Sequence, residues 1–158
     1  MIHSATLADV PVILELIREL AVYEKLESDA VAKPEDLATH LFGPRPYAEC
    51  LLADGAGMVV GFALFFHNYS TFRGKPGIYL EDLFVKPEYR GHGHGKALFA
   101  ELARLAVERD CARLEWAVLD WNAPSIAFYE RLGAHPLNEW TTYRLTGDAM
   151  RTLARSKK

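Results

Sequence analysis

The run Tyr89-Arg90-Gly91-His92-Gly93-His94-Gly95-Lys96 concentrates the clearest chemistry in the chain. Alternating glycines let a backbone turn tightly and approach a ligand without Cβ interference. Placed before a helix, their N–H groups converge with the helix dipole on an anion. Arg90 and Lys96 flank the turn and can add charge-assisted contacts, so the segment suits a phosphate or pyrophosphate. A nucleoside-triphosphate loop requires a glycine where Arg90 stands and a hydroxyl where Ala97 stands. A dinucleotide fingerprint fails in both registers, because Lys96 or Leu98 occupies the third glycine position. His92 and His94 have no carboxylate or thiol at ligand spacing, so no metal is expected.

A second constellation precedes the turn. Tyr79-Leu80-Glu81-Asp82-Leu83-Phe84-Val85 places two carboxylates in an otherwise apolar strand. Ionised carboxylates are costly there unless paired, solvated or functional. Successive strand residues face opposite sides, so Glu81 and Asp82 share a face only if a bulge intervenes. One reading is a salt-bridged or edge-exposed pair. The other is a site that holds an ammonium and takes its proton, as an alkylamine near pKa 10 requires before it can act as a nucleophile. Downstream, Asn122 suits a helix cap and Tyr129 a half-buried helix position beside Phe128 and Leu132.

These groups need a scaffold. Ile2–Ala5 reads as a strand, and Thr6 as an N-cap with Pro11 in the first turn of the following helix. Val10, Ile13, Leu14, Ile17, Leu20 and Ala21 recur at helical spacing. An acidic stretch, Glu24–Asp29, leads to a short helix over Pro34–Leu41, stopped at Gly43-Pro44. Tyr47–Ala53 and Met58–Asn68 read as a hairpin around Asp54-Gly55-Ala56-Gly57. Gly74–Gly77 breaks the chain before a strand over Ile78–Val85. A helix over Gly93–Asp110, a strand over Arg113–Leu119, a helix over Pro124–Leu132 and a last strand over Thr141–Leu145 follow. The expected fold is a single α/β (α+β) domain, residues 1–158, around a mixed sheet.

Composition narrows the partners. A net charge of -3 gives no basic surface for nucleic acid. The longest apolar stretch, Met58–Phe66, is too short to cross a bilayer as a helix, and no signal peptide is evident. Cys50 and Cys111 fit no metal or disulfide pattern and read as buried free thiols. A soluble cytoplasmic protein is expected, with no membrane partner.

The pattern Arg-Gly-x-Gly-x-Gly at 90–95 resembles the pyrophosphate signature of the GNAT superfamily, whose ligand is acetyl-CoA. Together with Tyr-Leu-Glu-Asp at 79–82, Trp-Asn at 121–122 and Phe-Tyr at 128–129, it resembles the spermidine/spermine (diamine) acetyltransferase family. The resemblance runs from Ile2 to about Leu153. It implies a GNAT fold, a central mixed, mostly antiparallel twisted sheet of six to seven strands with helices on both faces. It implies acetyl-CoA contacts at Leu83, Phe84, Val85, Arg90, Gly91, His92, Gly93, His94, Gly95, Lys96, Asn122, Ser125 and Tyr129. Tyr23, Glu24, Glu81, Asp82 and Arg73 would bind the substrate, the acids its amine, and a homodimer is implied.

In this reading, Glu81 is the catalytic carboxylate and Tyr129 donates a hydrogen bond to the departing thiolate. Full proton transfer from a phenol near 10 to a thiol near 8.5 is uphill by about 2 kcal/mol, so transfer follows charge development. Neither cysteine has a histidine beside it in sequence. Direct attack without an acyl-enzyme is expected, with backbone N–H groups near Leu83–Val85 polarising the carbonyl. The polyamine enzymes carry an acidic residue before the Leu-Glu-Asp strand. Here Tyr69-Ser70-Thr71-Phe72-Arg73-Gly74 stands instead, which resembles the thialysine-acetylating branch. Arg73 would repel a polycation and pair with a substrate carboxylate. The expected substrate is therefore a lysine-like amino acid ahead of a diamine or polyamine. A protein-lysine or N-terminal acetyltransferase, and a non-catalytic acetyl-CoA-binding protein, are the alternatives.

Overall fold

A computed structural model describes residues 1–156. The chain divides into two compact units, Met1–Ala117 and the segment from Val118 onward.

The first unit is built on a five-stranded sheet in the order β1-β2-β3-β4-β5. The strands are β1 (Ile2–Ser4), β2 (Glu49–Gly55), β3 (Met58–Ser70), β4 (Lys75–Val85) and β5 (Leu114–Trp116). The first four pair antiparallel, and β5 runs parallel to β4. Helix α1 (Val10–Glu24) and helix α2 (Pro34–Phe42) separate β1 from β2, and helix α3 (His94–Glu108) separates β4 from β5. Thr6 and Asp9 form a capping box, the Asp9 carboxylate accepting from the Thr6 N–H at 2.7 Å. That hydrogen bond holds Asp9 below the usual carboxylate range. The box caps a single 3₁₀ turn, Leu7–Asp9, from which α1 continues with Pro11 near its start. Lys25, left-handed at φ 61°, ends α1.

Ile13, Leu16 and Leu20 of α1 cover Cys50, Leu52, Phe62 and Phe84 on one sheet face. The alternate residues Leu51, Ala53 and Ala63 are also buried, and α3 packs against all five strands. The sheet is thus sandwiched between helices, which explains its near-continuous apolar runs. Lys86, just beyond β4, joins the layers. Its Nζ reaches Glu15 at 2.7 Å and Glu19 at 2.9 Å on α1. The two hydrogen bonds push the ammonium pKa upward.

Five strands stand where six to seven are expected. Thr141–Leu145 is not a strand among the described residues, and its side chains are exposed. Its β-forming composition lacks a ladder partner, and strand preference is decided by such context. β5 is shorter than Arg113–Leu119 for a visible reason. Its last pair is Leu80 with Trp116, and β4 bulges at the next residue. β4 in turn starts early, at Lys75. Gly74, at φ 63°, closes the turn that begins at Thr71, so Pro76 and Gly77 lie within the strand.

The second unit, taken by itself, contains α4 (Ala123–Arg131) and α5 (Gly147–Arg155). Asn122 caps α4, its side-chain oxygen accepting from the Ser125 N–H at 3.3 Å. α5 has no counterpart in the sequence expectations.

Candidate active site

The first unit gathers the carboxylates through one irregularity in β4. Leu64 pairs with Asp82 and Phe65 with Leu80, so Glu81 is the extra residue of a β-bulge. A bulge re-aims side chains and breaks the alternation that would separate neighbours. Asp82 lies on the face covered by α1, two residues from Phe84. Burial, then the charges of Glu81 and Glu24, raise its pKa to about 6. Those couplings place the three carboxylates in one neighbourhood. Glu24 ends α1 and is itself shifted upward by burial. Glu81 is exposed and Asp82 half-buried.

The bulge also ends the β4–β5 ladder at Leu80. In antiparallel pairing, alternate backbone groups point away from the partner strand. Part of the Leu83–Val85 backbone therefore faces the side on which β5 no longer pairs. Phe84 and Val85 bury their side chains, so any ligand contact there is through the main chain.

The glycine turn follows. Gly91 and Gly93 adopt φ 80° and 87°, and a Cβ on either would meet nothing within 4 Å. The space above them is open, and glycine is required by conformation. α3 begins at His94 with no side-chain cap and no acidic residue in its first turn. Its leading N–H groups are thus presented to an anion. α4, by contrast, has its Asn122 cap.

The remaining expected residues divide in two. The Arg90 guanidinium does not extend over the turn. Its Nε donates to the Val85 carbonyl at 2.9 Å, and its plane stacks 4.5 Å from the Tyr23 ring centroid and 5.4 Å from that of Phe84. Arg90 therefore braces the turn against the end of α1, with Tyr23 as the platform. His94 turns toward the sheet, its ring close enough that a Cβ on Gly55 would meet it at 3.0 Å. His92 and Lys96 are exposed at the turn. Arg73 lies on the β3–β4 turn beside a cleft with Lys75 and Ala112. It is separated from Asp82 by roughly 20 Å of strand at about 3.3 Å per residue, so the first unit does not bring it to the carboxylates. In the second unit, Ser125 and Tyr129 are half-buried on α4, and the Tyr129 ring lies 5.7 Å from that of Phe128.

One residue goes unnoticed in the sequence. Burial, then the charges of Glu81 and Glu115, raise the Tyr79 pKa, and Glu115 is its partner across the β4–β5 ladder. Its place two residues before Glu81 was the available signal.

Comparison with known proteins bears on this geometry. The profile of the Acetyltransferase (GNAT) family matches residues 14–134. The chain belongs to the GNAT family and is an N-acetyltransferase. It is 42% identical to thialysine N-epsilon-acetyltransferase of Bos taurus, over 98% of this chain and 96% of that one. It is 36% identical to L-ornithine N5-acetyltransferase NATA1 of Arabidopsis thaliana, over 96% of this chain and 86% of the relative. Among solved structures, an integron cassette protein from the mobile metagenome of V. cholerae superposes with a TM-score of 0.82. It is 28% identical, with 99% of this chain and 98% of that chain covered. No helix among the described residues is long and apolar enough to cross a membrane.

Proposed function

We propose that this enzyme transfers the acetyl group of acetyl-CoA to the side-chain amine of a lysine-like amino acid by direct attack. The β4 bulge carries this reading, because one residue, Glu81, both groups the carboxylates and ends the β5 ladder. The Gly91–Lys96 turn and the uncapped start of α3 suit the pyrophosphate of the co-substrate. The unpaired side of Leu83–Val85 suits its thioester carbonyl.

The carboxylates act on the amine. Moving a proton from an ammonium near 10.4 to a carboxylate near 4 costs about 9 kcal/mol, and to one near 6 about 6 kcal/mol. Burial of Asp82 beside Glu81 and Glu24 therefore removes about 3 kcal/mol from the deprotonation step. Glu81, adjacent to Asp82 and exposed, is placed to relay the proton to solvent. Tyr129 takes the role of hydrogen-bond donor to the departing thiolate, by resemblance to the family. A cysteine nucleophile does not fit, since burial pushes the Cys50 thiol up to about 12 and leaves it protonated.

The relatives acting on thialysine and ornithine support an amino-acid substrate. The reading carries a single catalytic domain, a homodimer and a cytoplasmic location. Two free cysteines suit the last. Thiol release from acetyl-CoA, followed over thialysine, ornithine, lysine and spermidine, tests the assignment. Thialysine or ornithine is expected to give the highest kcat/KM. A clear preference for spermidine refutes the amino-acid substrate, and no release with any amine refutes the activity.

A further inference from the structure

The sheet face that carries Asp82 continues past the bulge. Phe66 pairs with Tyr79, and their rings stack at 5.2 Å. Tyr79 pairs in turn with Glu115 on β5, whose side chain therefore stands on the same face. Glu115 is held from two sides. Its Oε1 accepts from the Asn68 amide at 3.2 Å and from Arg113 Nε at 2.6 Å. Among the described residues its Oε2 takes no partner, and the Arg113 guanidinium otherwise donates only to the Tyr69 carbonyl at 3.3 Å.

Gly77 makes this arrangement sterically feasible. A Cβ there would lie 2.3 Å from Asn68 Oδ1 and 3.0 Å from Arg113 Cγ. The missing side chain lets Asn68 reach across β4 to Glu115 on the far strand. The Asn68 Oδ1 is buried with no partner among the described residues, so the amide is fixed by its donor side.

Resting on the acetyl transfer proposed above, we infer that Glu115 and Arg113 form a distal clamp for the zwitterionic head of an α-amino acid whose side-chain amine lies at Glu81 and Asp82. A paired Arg and Glu is the complement of a zwitterion: the guanidinium fork takes the carboxylate and the free carboxylate oxygen takes the α-ammonium. Tyr79 and Phe66 form an apolar wall between the two charged ends, suited to a methylene or thioether spacer. Asp82 and Tyr79 face β3 residues two positions apart, and Glu115 is one strand further, so the ends are on the order of 8 Å apart. That matches an extended lysine-length side chain. The carboxylate partner is then Arg113, just before β5, and not Arg73 on the hairpin turn.

The test compares three amines sharing one reactive end: an α,ω-diamino acid, the diamine lacking its carboxylate, and a monoamine. Arg113→Gln is expected to raise KM for the diamino acid about tenfold and to leave the diamine within about twofold. Glu115→Gln is expected to raise KM for both compounds with a second ammonium and to spare the monoamine. Arg113→Lys, which keeps the charge beside Glu115, recovers part of the diamino-acid KM and guards against a folding defect. Equal changes for all three amines, or none, overturn the clamp while acetyl transfer stands. A wild-type enzyme that acetylates none of them overturns the transfer reading and the clamp with it.

Discussion

At the residue scale, Asp82 sets stability against activity. Its folded pKa of about 6 lies above that of an unfolded aspartate near 3.9. Between those values the native chain holds the extra proton, so the stability from this group is present below pH about 4. It is lost as pH rises through about 6. The difference amounts to at most about 3 kcal/mol. Asp82→Asn is therefore expected to raise Tm at pH 8 by several degrees, to leave it near the wild-type value at pH 4, and to lower kcat. Thermal melts at the two pH values, with a steady-state assay, measure all three. A variant less stable at pH 8 would contradict the desolvation account.

The same residue shows what a sequence can disclose. Two adjacent carboxylates in an apolar strand were visible as a chemical anomaly, because their burial cost is a property of the residues themselves. Their sharing of a neighbourhood was not, since a bulge is a register event between β3 and β4. Arg90 behaves similarly. Its proximity to a glycine turn was legible, but its stacking on Tyr23 depends on where the end of α1 falls.

At the element scale, the turn between β4 and α3 was the most legible piece, because glycine spacing encodes backbone geometry directly. Gly93, at φ 87°, precedes an uncapped helix. Gly93→Ala is expected to cost about 1–2 kcal/mol of conformational strain and to raise KM for acetyl-CoA several-fold. Gly57→Ala, at φ 79° in the β2–β3 hairpin, supplies the control. It should cost similar stability and leave that KM unchanged. Equal KM effects from both would assign the change to folding alone. The strand boundaries were less legible. Pro76-Gly77 reads as a break in one dimension, yet Gly77 belongs inside β4 because Asn68 crosses it. Thr141–Leu145 has strand composition without a strand.

At the scale of the whole molecule, apolar periodicity anticipated the helices over α1 and α3 and the interior they cover. Phe62 is fully buried between α1 and the sheet. Its replacement by Ala is expected to cost about 3–5 kcal/mol, a large share of the roughly 5–15 kcal/mol that holds a domain of this size. Denaturant melts measure that loss directly.

The burial of Cys50 gives the same loss a covalent readout. Only Cys111 is partly accessible in the folded chain, while Cys50 lies 6% exposed in the interior with its thiol held protonated. A pulse of alkylating reagent on the native protein should therefore add one label per chain, and a second label should mark each passage through the open state. The thiol that chemistry leaves idle becomes a clock for unfolding, one that Phe62→Ala should make run faster and that mass spectrometry can read without an assay for the amine.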